Sequence, residues 1–376
     1  MAVISNGKTL NPASRETPLI INGDMKVSQR DTSTTGIGAD TAFVVDRFAY
    51  RKGGTPSFRS TISQSTTVPT GQGFLTSLKV DCTTADASLS ASTRFGIDQK
   101  IEAQNLINLK QGTSSARATT LSFWVKSNLT GQFNIWIFKE DGTARSFVKA
   151  YTISSADTWE KKIINIDADT AAAGAIANDN GEGWRITWML AAGSTFSSGS
   201  IATSWENYTA ANIGVGQTNF GSSTDNEFFL TGVQLEVGTY DSTNLPDFPF
   251  ESFDSNLRRC QRYFQIYMNA ASANKDFFGG HIHDNDTFRM SLTFPVEFRT
   301  TPALTSSSSG SADHWRIVTS SINTNYGSAI TFTGATKSGQ FTLVDTGGTD
   351  MSSHVDDPGY MQNNQSSCFL KMDAEL

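Results

Sequence analysis

The sequence predicts an all-β protein, an antiparallel β-sandwich of jelly-roll type followed by a smaller β-sandwich domain. Three observations lead to this fold class. Apolar residues recur at every second position, no segment sustains helical periodicity, and turns rich in Gly and Asn separate the apolar segments. Charged residues make up only 17% of the chain, and the Ser, Thr, Gly and Asn that replace them suit short strands and turns.

The alternation is clearest in four segments, which are residues 121–125, 184–190, 229–237 and 288–298. Such period-two patterns are typical of half-buried antiparallel strands. In the last segment Pro295 falls on the polar side. Because proline cannot donate to a β-ladder, that strand is predicted to be an edge strand or to carry a bulge at Pro295.

Short helical turns and one hairpin complete the predicted elements. Asp254 or Ser255 can cap a turn that continues through Leu257–Arg259, and a second turn is predicted for Ala103–Leu109. Asp141-Gly142 lies between two apolar segments and predicts a β-hairpin.

Domain organisation is indicated by a proline-rich stretch around Pro246 and Pro249, which is typical of a stiff linker. The sequence therefore predicts a jelly-roll domain at 18–247 and a C-terminal β domain at 248–376. Residues 1–17 lack apolar periodicity and are expected to form an arm that a neighbouring subunit orders.

Charge and cysteine content exclude several classes of function. The net charge is −7, and no Lys/Arg cluster departs from that total, so nucleic-acid binding is not expected. No apolar run approaches the ~20 residues of a membrane helix, and the N-terminus does not resemble a secretory signal. Cys82, Cys260 and Cys368 are far apart and odd in number, so they are predicted to be buried thiols.

No catalytic residue is predicted, because the sequence contains neither a nucleotide-binding loop nor a G-x-S-x-G motif. Paired carboxylates are the requirement for glycoside hydrolysis. The candidate pairs all lie in polar, turn-like stretches: Asp356 with Asp357, Asp225 with Glu227, and Asp179 with Glu182. They are interpreted as solvated turn residues. Asp167 and Asp169 suit either calcium ligation or a turn at a strand end.

One pair of histidines has metal-ligand spacing. On an extended chain His281 and His283 face the same side, about 7 Å apart. The alternative is a solvated turn that happens to contain two histidines. One chain offers only two imidazoles, so no cofactor is expected unless several chains bring their pairs together.

Ligand stacking requires exposed aromatic rings. The residues with the most loop-like surroundings lie in the predicted C-terminal domain, and these candidate ligand-binding residues are Trp315 with its neighbour His314, and Tyr326 with its neighbour Asn325. Further candidates are Trp159, Trp205, Tyr208 and Tyr360. Ligand recognition is therefore expected mainly in the loops 305–315 and 321–329.

A series of short stretches extends in order from about residue 19 to the C-terminus. The stretches are Leu19–Arg30, Asp46–Phe48, Gln99–Glu102, Leu121–Ser127, Phe229–Gly238, Cys260–Phe264, Phe294–Arg299 and Asp373–Leu376. In this order the sequence resembles bacteriophage tail-fibre proteins, especially those of marine podovirus-like phages, which combine a jelly roll similar to a carbohydrate-binding module with a small C-terminal β domain.

The resemblance implies a non-enzymatic virion protein, a tail fibre that is assembled in the bacterial cytoplasm and attaches to a host surface glycan. It implies a homotrimer whose arm at 1–17 binds other phage tail or capsid proteins. Many such fibres begin with a long anchoring domain, whereas only about 17 residues precede the first stretch here. A head fibre, capsid decoration protein or tail adaptor that binds only virion subunits therefore remains an alternative, and a glycan depolymerase is a third.

Residues 254–268 add a sequence argument for the trimer. Leu257, Cys260, Phe264 and Ile266 provide more apolar surface than the first segment of a small domain readily buries. A trimer would also bring three copies of the His281 and His283 pair to one axis, and six imidazoles suffice for an octahedral ion.

Overall fold

The computed structural model describes residues 3–5, 8–10, 17–37, 41–54, 57–269, 272–285, 287–307, 314–320, 323–326, 330–333, 336–345, 351–366 and 368–376. Within these ranges the protein is all-β, as predicted, and the strands pair antiparallel. The chain divides into two compact units, Met1–Phe253 and Asp254–Leu376, whereas the sequence places the boundary at 247/248.

Among its described residues the first unit contains fifteen strands. They are β1 Val3–Ser5, β2 Lys8–Leu10, β3 Ser33–Ile37, β4 Thr41–Phe43, β5 Ala49–Gly53, β6 Arg59–Ser65, β7 Ser77–Thr84, β8 Arg94–Glu102, β9 Thr119–Ser127, β10 Gly131–Lys139, β11 Arg145–Ile153, β12 Glu160–Ile166, β13 Glu182–Ala192, β14 Glu206–Asn207 and β15 Glu227–Val237. The helical segments are α1, Ser194–Ser197, and the 3-10 turns Ala103–Leu109, Ala172–Gly174, Ala210–Asn212 and Phe220–Ser222.

Two sheets of the first unit pack face to face. One has seven strands in the order β14-β11-β10-β13-β8-β5-β4, and the other has six in the order β12-β9-β15-β7-β6-β3. Phe123 of β9 crosses the interior between them, with ring centroids 5.2 Å from Tyr151 of β11 and 5.7 Å from Trp188 of β13. From β7 to β13 the chain crosses repeatedly between the two sheets, and only the β10–β11 hairpin stays within one of them, as in a jelly roll.

Several predicted elements of the first unit are confirmed. The hairpin at Asp141-Gly142 joins β10 and β11, which pair from Gly131 with Ile153 to Lys139 with Arg145. The segment Ala103–Leu109 is a 3-10 helix. The three cysteines are buried in their respective units and form no disulfide with one another.

Two of the stretches behind the family resemblance hold each other in place. The side-chain amide of Asn22 donates to the carbonyl oxygens of Val27 and Asp46, each at 2.9 Å, while the Asp46 carboxylate accepts from the Gln29 backbone N–H at 3.0 Å. Burial raises the pKa of Asp46, and the nearby Arg30 opposes this effect. These residues fasten a loop against the sandwich, which is a structural role.

The second unit has one helix and ten strands among its described residues. They are α2 Phe253–Gln261, β16 Phe264–Asn269, β17 Asp276–Ile282, β18 Thr287–Thr293, β19 Ala303–Ser306, β20 Trp315–Thr319, β21 Asn323–Tyr326, β22 Ile330–Thr333, β23 Gly339–Asp345, β24 Pro358–Asn363 and β25 Phe369–Asp373, with a 3-10 turn at Ser352–His354. A three-stranded sheet, β16-β25-β19, and a seven-stranded sheet, β21-β20-β24-β17-β18-β23-β22, share one core that includes Met361 and Met372.

Two expectations for this unit need correction. The strand predicted to contain Pro295 ends at Thr293 and lies between β17 and β23, so it is neither an edge nor bulged at the proline. The apolar alternation continues because Phe294 and Phe298 are buried beyond the strand end. The apolar segment 254–268 was expected to need burial against a trimer partner. Two of its residues, Cys260 and Phe264, are instead already buried within the unit.

Candidate functional site

Trp315 does not occupy the loop expected from its sequence context. It begins β20, its side chain has no exposed surface, and its Nε1 donates to the Ser307 carbonyl oxygen at 2.8 Å. A ring in this position contributes to the core and presents no face to a sugar. The structure therefore corrects the predicted role of Trp315 from ligand stacking to packing.

The other predicted ligand residues of the second unit stay predictions. Asn325 and Tyr326 lie in β21, opposite Arg316 and Trp315, and their side chains fall outside the described residues. His314 is half-buried, and its carbonyl oxygen accepts from Cys368 Sγ at 3.0 Å. The loop positions 308–313 and 327–329 also lie outside the described residues.

The histidine pair has the predicted proximity. The ring centroids of His281 and His283 are 6.3 Å apart. However, the His283 Nε2 lies 2.7 Å from a terminal guanidinium nitrogen of Arg289, so an ion at this nitrogen would have to displace a cation. Among the residues that the structure describes, no group of three or more His, Cys, Asp or Glu side chains could hold a metal. A metal shared between chains remains a prediction.

Several of the carboxylates considered in the sequence are held by basic side chains. Glu227 pairs with Lys79 at 2.5 Å, Glu182 with Lys100 at 2.6 Å, and Asp357 with His354 at 3.1 Å. Asp169 accepts two hydrogen bonds from Arg145, both at 2.8 Å. Glu227, Glu182 and Asp169 are held in ion pairs, and Asp357 lies within hydrogen-bond distance of the His354 ring.

The first unit contains a cleft of about 150 Å³ on the outer face of its seven-stranded sheet. Period-two alternation places it there, because Phe133, Ile135 and Ile137 of β10 point into the core while Trp136 points outward. The charged residues that line it are Arg51, Lys52, Arg94, Arg185 and Asp98, and its aromatic residues are Phe95 and Trp136.

Two arginines lie against the same indole. The Arg94 guanidinium carbon is 5.3 Å from the centroid of the Trp136 ring and 5.1 Å from that of Phe196 in α1. The Arg185 guanidinium carbon is 5.5 Å from the Trp136 centroid and 4.9 Å from that of Phe138. These are cation–π distances, and the contacts fix the orientation of both guanidinium groups.

The remaining charges around the cleft are only partly compensated. Arg51 Nε pairs with Asp98 Oδ2 at 2.6 Å. Lys100 and Arg185 share Glu182, at 2.6 Å and 3.4 Å. Burial lowers the pKa of Lys100, and Glu182 opposes this effect. The Arg94 guanidinium makes no hydrogen bond or ion pair within the described ranges.

A buried hydroxyl without a hydrogen-bond partner lies at the same place. Thr187 lines the cleft directly opposite Trp136 in the β10/β13 register. Its Oγ1 is buried and has no hydrogen-bond partner among the described residues, whereas the buried Arg185 Nε lies 3.4 Å from Glu182 Oε1. Such groups are costly to bury unless a ligand or water satisfies them.

The floor of the cleft depends on Gly96 of β8. A Cβ atom at this position would lie 2.4 Å from the Trp188 carbonyl oxygen and 2.9 Å from Thr187 Cγ2. We expect Gly96→Ala to lower the free energy of unfolding by about 1–3 kcal/mol through overpacking, measured by thermal denaturation. Gly279→Ala is the matched control, since the nearest atom to its Cβ is 4.0 Å away. Equal melting temperatures for the two variants would contradict the proposed close approach.

Sequence reasoning missed this cleft, although one signal was present. The outward positions of 184–190 are Arg185, Thr187 and Met189, and those of 94–100 include Arg94 and Asp98. An arginine at the outer face of each strand is unremarkable until the register brings the two strands together in one sheet. That register is a tertiary property.

No family model and no curated protein matches the sequence. Among solved structures, the chain is similar to the enzymatically active domain of tailspike protein 4 of bacteriophage CBA120, with 13% identity, a TM-score of 0.30 and coverage of 58% of this chain and 21% of that one.

It is also similar to the family 11 carbohydrate-binding module of Clostridium thermocellum in complex with a mixed-linked tetrasaccharide, with 11% identity, a TM-score of 0.28 and coverage of 55% and 97%. The carbohydrate-binding and catalytic modules of xylanase 10B from the same organism give 11% identity, a TM-score of 0.28 and coverage of 60% and 29%. No helix among the described residues is long and apolar enough to cross a bilayer.

Proposed function

We propose that this protein is a non-catalytic virion protein, a tail fibre that attaches to a glycan on the host surface through the cleft of its first unit. The resemblance to tail fibres over about residues 19–376 supports the virion role. The observation that carries the binding role is the cleft itself, in which guanidinium donors and a hydroxyl without a partner converge on a rigid sheet.

The proposed position of the binding site differs from the one expected from sequence. The sequence placed recognition in the second unit because aromatic rings there were expected to be exposed. Trp315, one of these rings, is buried. The first unit instead presents oriented polar groups on strands, which hold a site more rigidly than loops do.

Binding without hydrolysis is supported by the acidic groups at the cleft. Glycoside hydrolysis by the usual mechanism needs two carboxyl groups about 5–9.5 Å apart. Asp98 is the one carboxylate among the described lining residues, and Arg51 holds it at 2.6 Å. A glycan depolymerase is therefore the least favoured alternative.

Adsorption to cells tests the proposal. Labelled full-length protein is expected to bind at least one strain in a panel of bacteria, and surface polysaccharide extracted from that strain should compete for binding. Incubation with the same polysaccharide should release no oligosaccharide, as measured by size-exclusion chromatography. Adsorption to no strain, together with co-purification with other virion subunits, would favour a head fibre, decoration or adaptor protein. Released oligosaccharide would favour the depolymerase.

The assembly is proposed from the resemblance as well. The protein forms a homotrimer in the virion, assembled in the bacterial cytoplasm, and the arm at 1–17 binds other phage tail or capsid proteins. Part of this arm forms the antiparallel pair of β1 with β2. Linked weak sites gain avidity in such an assembly without new contacts.

Light scattering tests the trimer directly. The purified protein is expected to have three times the 40.7 kDa mass of the chain. A monomer at micromolar concentration would contradict the trimer. A trimer whose melting temperature is unaffected by His281→Ala, and which contains no metal by elemental analysis, would leave the trimer in place and remove the shared ion.

A further inference from the structure

We propose that the ligand of the cleft is an acidic glycan, and that Arg94 and Arg185 bind its carboxylate or sulfate group. This inference rests on the proposed glycan-binding function and names the class of glycan.

The charge of the cleft is opposite to that of the chain. Three arginines, Arg51, Arg94 and Arg185, and one carboxylate line it in a protein of net charge −7, while the Lys52 ammonium lies 5.7 Å from the centroid of the core ring of Phe58. Asp98 is already bound to Arg51, and Glu182 is shared between Lys100 and Arg185. Arg94 has no anionic partner among the described residues. A localised positive potential of this kind attracts an anionic ligand.

The two arginines are oriented for such a ligand. Both guanidinium carbons lie within 5.5 Å of the same Trp136 centroid. The Arg94 guanidinium makes no hydrogen bond among the described residues and that of Arg185 is held by Glu182 at 3.4 Å, so N–H groups of both stay available for a carboxylate or sulfate. Charge-assisted hydrogen bonds of this type are stronger than those between neutral groups.

A neutral sugar has no exposed aromatic ring to stack on among the described residues of this site. Neutral sugars bind proteins by stacking on exposed aromatic faces, and Trp136 is only 3% exposed. The guanidinium groups of Arg94 and Arg185 lie over its ring. The same burial argues against a single-stranded nucleic acid, since bases also require a ring on which to stack.

Two pairs of polymers that differ only in charge test the inference on the full chain. Polygalacturonate is compared with its neutral methyl ester, and dextran sulfate with dextran, by isothermal titration calorimetry. We expect one charged member to bind at least tenfold more tightly than its neutral counterpart, with affinity that falls as salt increases. The polygalacturonate pair reports a carboxylate and the dextran pair a sulfate.

Variants then locate the binding site. Arg94→Gln and Arg185→Gln are each expected to weaken binding of the charged polymer about tenfold or more, while Arg117→Gln, at an exposed position of the same unit, should have no effect. If the Gln variants lose their unfolding transition, Arg94→Lys and Arg185→Lys retain the charge but not the planar fork, and they should still weaken binding.

The outcomes separate this inference from the proposed function. Equal binding of charged and neutral polymers, lost in the Arg94 and Arg185 variants, overturns the acidic ligand and leaves glycan binding in place. Charged-polymer binding that is unchanged in both variants overturns the assignment to the cleft. Binding of single-stranded DNA as tight as that of dextran sulfate, weakened equally by Arg117→Gln, indicates general ion exchange and overturns the inference.

Discussion

Replacing Arg145 with methionine is expected to lower the free energy of unfolding of the first unit by about 3–5 kcal/mol, because it leaves a buried carboxylate without its partner. The Arg145 Nε and one terminal nitrogen each donate to Asp169 at 2.8 Å. The side chains of the pair are 9% and 4% exposed. Chemical denaturation monitored by fluorescence would measure the loss.

The pair also organises the surrounding loops. Arg145 donates further to Asn207 Oδ1 at 3.0 Å and to the Trp205 carbonyl oxygen at 3.3 Å, while Asp169 Oδ1 accepts from the Ala171 backbone N–H at 3.2 Å. Removing the guanidinium therefore leaves several acceptors without a donor, and each adds to the cost.

Two controls distinguish a broken ion pair from a general effect of substitution. Arg117→Met, at an exposed position, should change stability by less than about 0.5 kcal/mol. The double variant Arg145→Met with Asp169→Leu removes both charges and should be more stable than Arg145→Met alone. A single variant no less stable than the Arg117→Met control would show that the pair contributes nothing. The engagement of Asp169 with Arg145 also argues against the calcium role considered from its sequence context.

Trp315→Ala is expected to lower the free energy of unfolding of the second unit by about 3–5 kcal/mol, since it removes a large buried ring and leaves a cavity. If Trp315 were the exposed ligand residue expected from the sequence, the same change would weaken adsorption without a change in melting temperature. The structure reverses that expectation, because the side chain is fully buried and its Nε1 donates to the Ser307 carbonyl oxygen.

Differential scanning calorimetry of Trp315→Ala and Trp315→Phe separates the two contributions. The phenylalanine variant keeps most of the apolar volume and loses the hydrogen bond, so its loss should be smaller and close to the about 1–3 kcal/mol of one unsatisfied buried group. An unchanged melting temperature for Trp315→Ala would mean that the ring is not part of the core and would restore its candidacy as a ligand residue.

The local pattern of residues was sufficient to predict the class of fold. Alternation at 121–125, 184–190 and 229–237 corresponds to strands β9, β13 and β15, and Asp141-Gly142 to the turn between β10 and β11. These features depend on neighbours in sequence, because the pleat of a strand and the backbone angles of a hairpin turn are local properties. The buried cysteines follow from the same strand-like contexts.

The formation of the cleft and the burial of individual aromatic rings depended on the tertiary structure. Arg94 and Arg185 belong to strands separated by the whole of β9–β12, and only the pairing of β8 with β13 brings them to one indole. Trp315 looked exposed because its sequence neighbours are polar, yet the register of β20 turns its ring into the core. A one-residue shift of register would turn every side chain of a strand to the opposite face, so composition and periodicity determine that strands form, and only long-range pairing determines which residues meet.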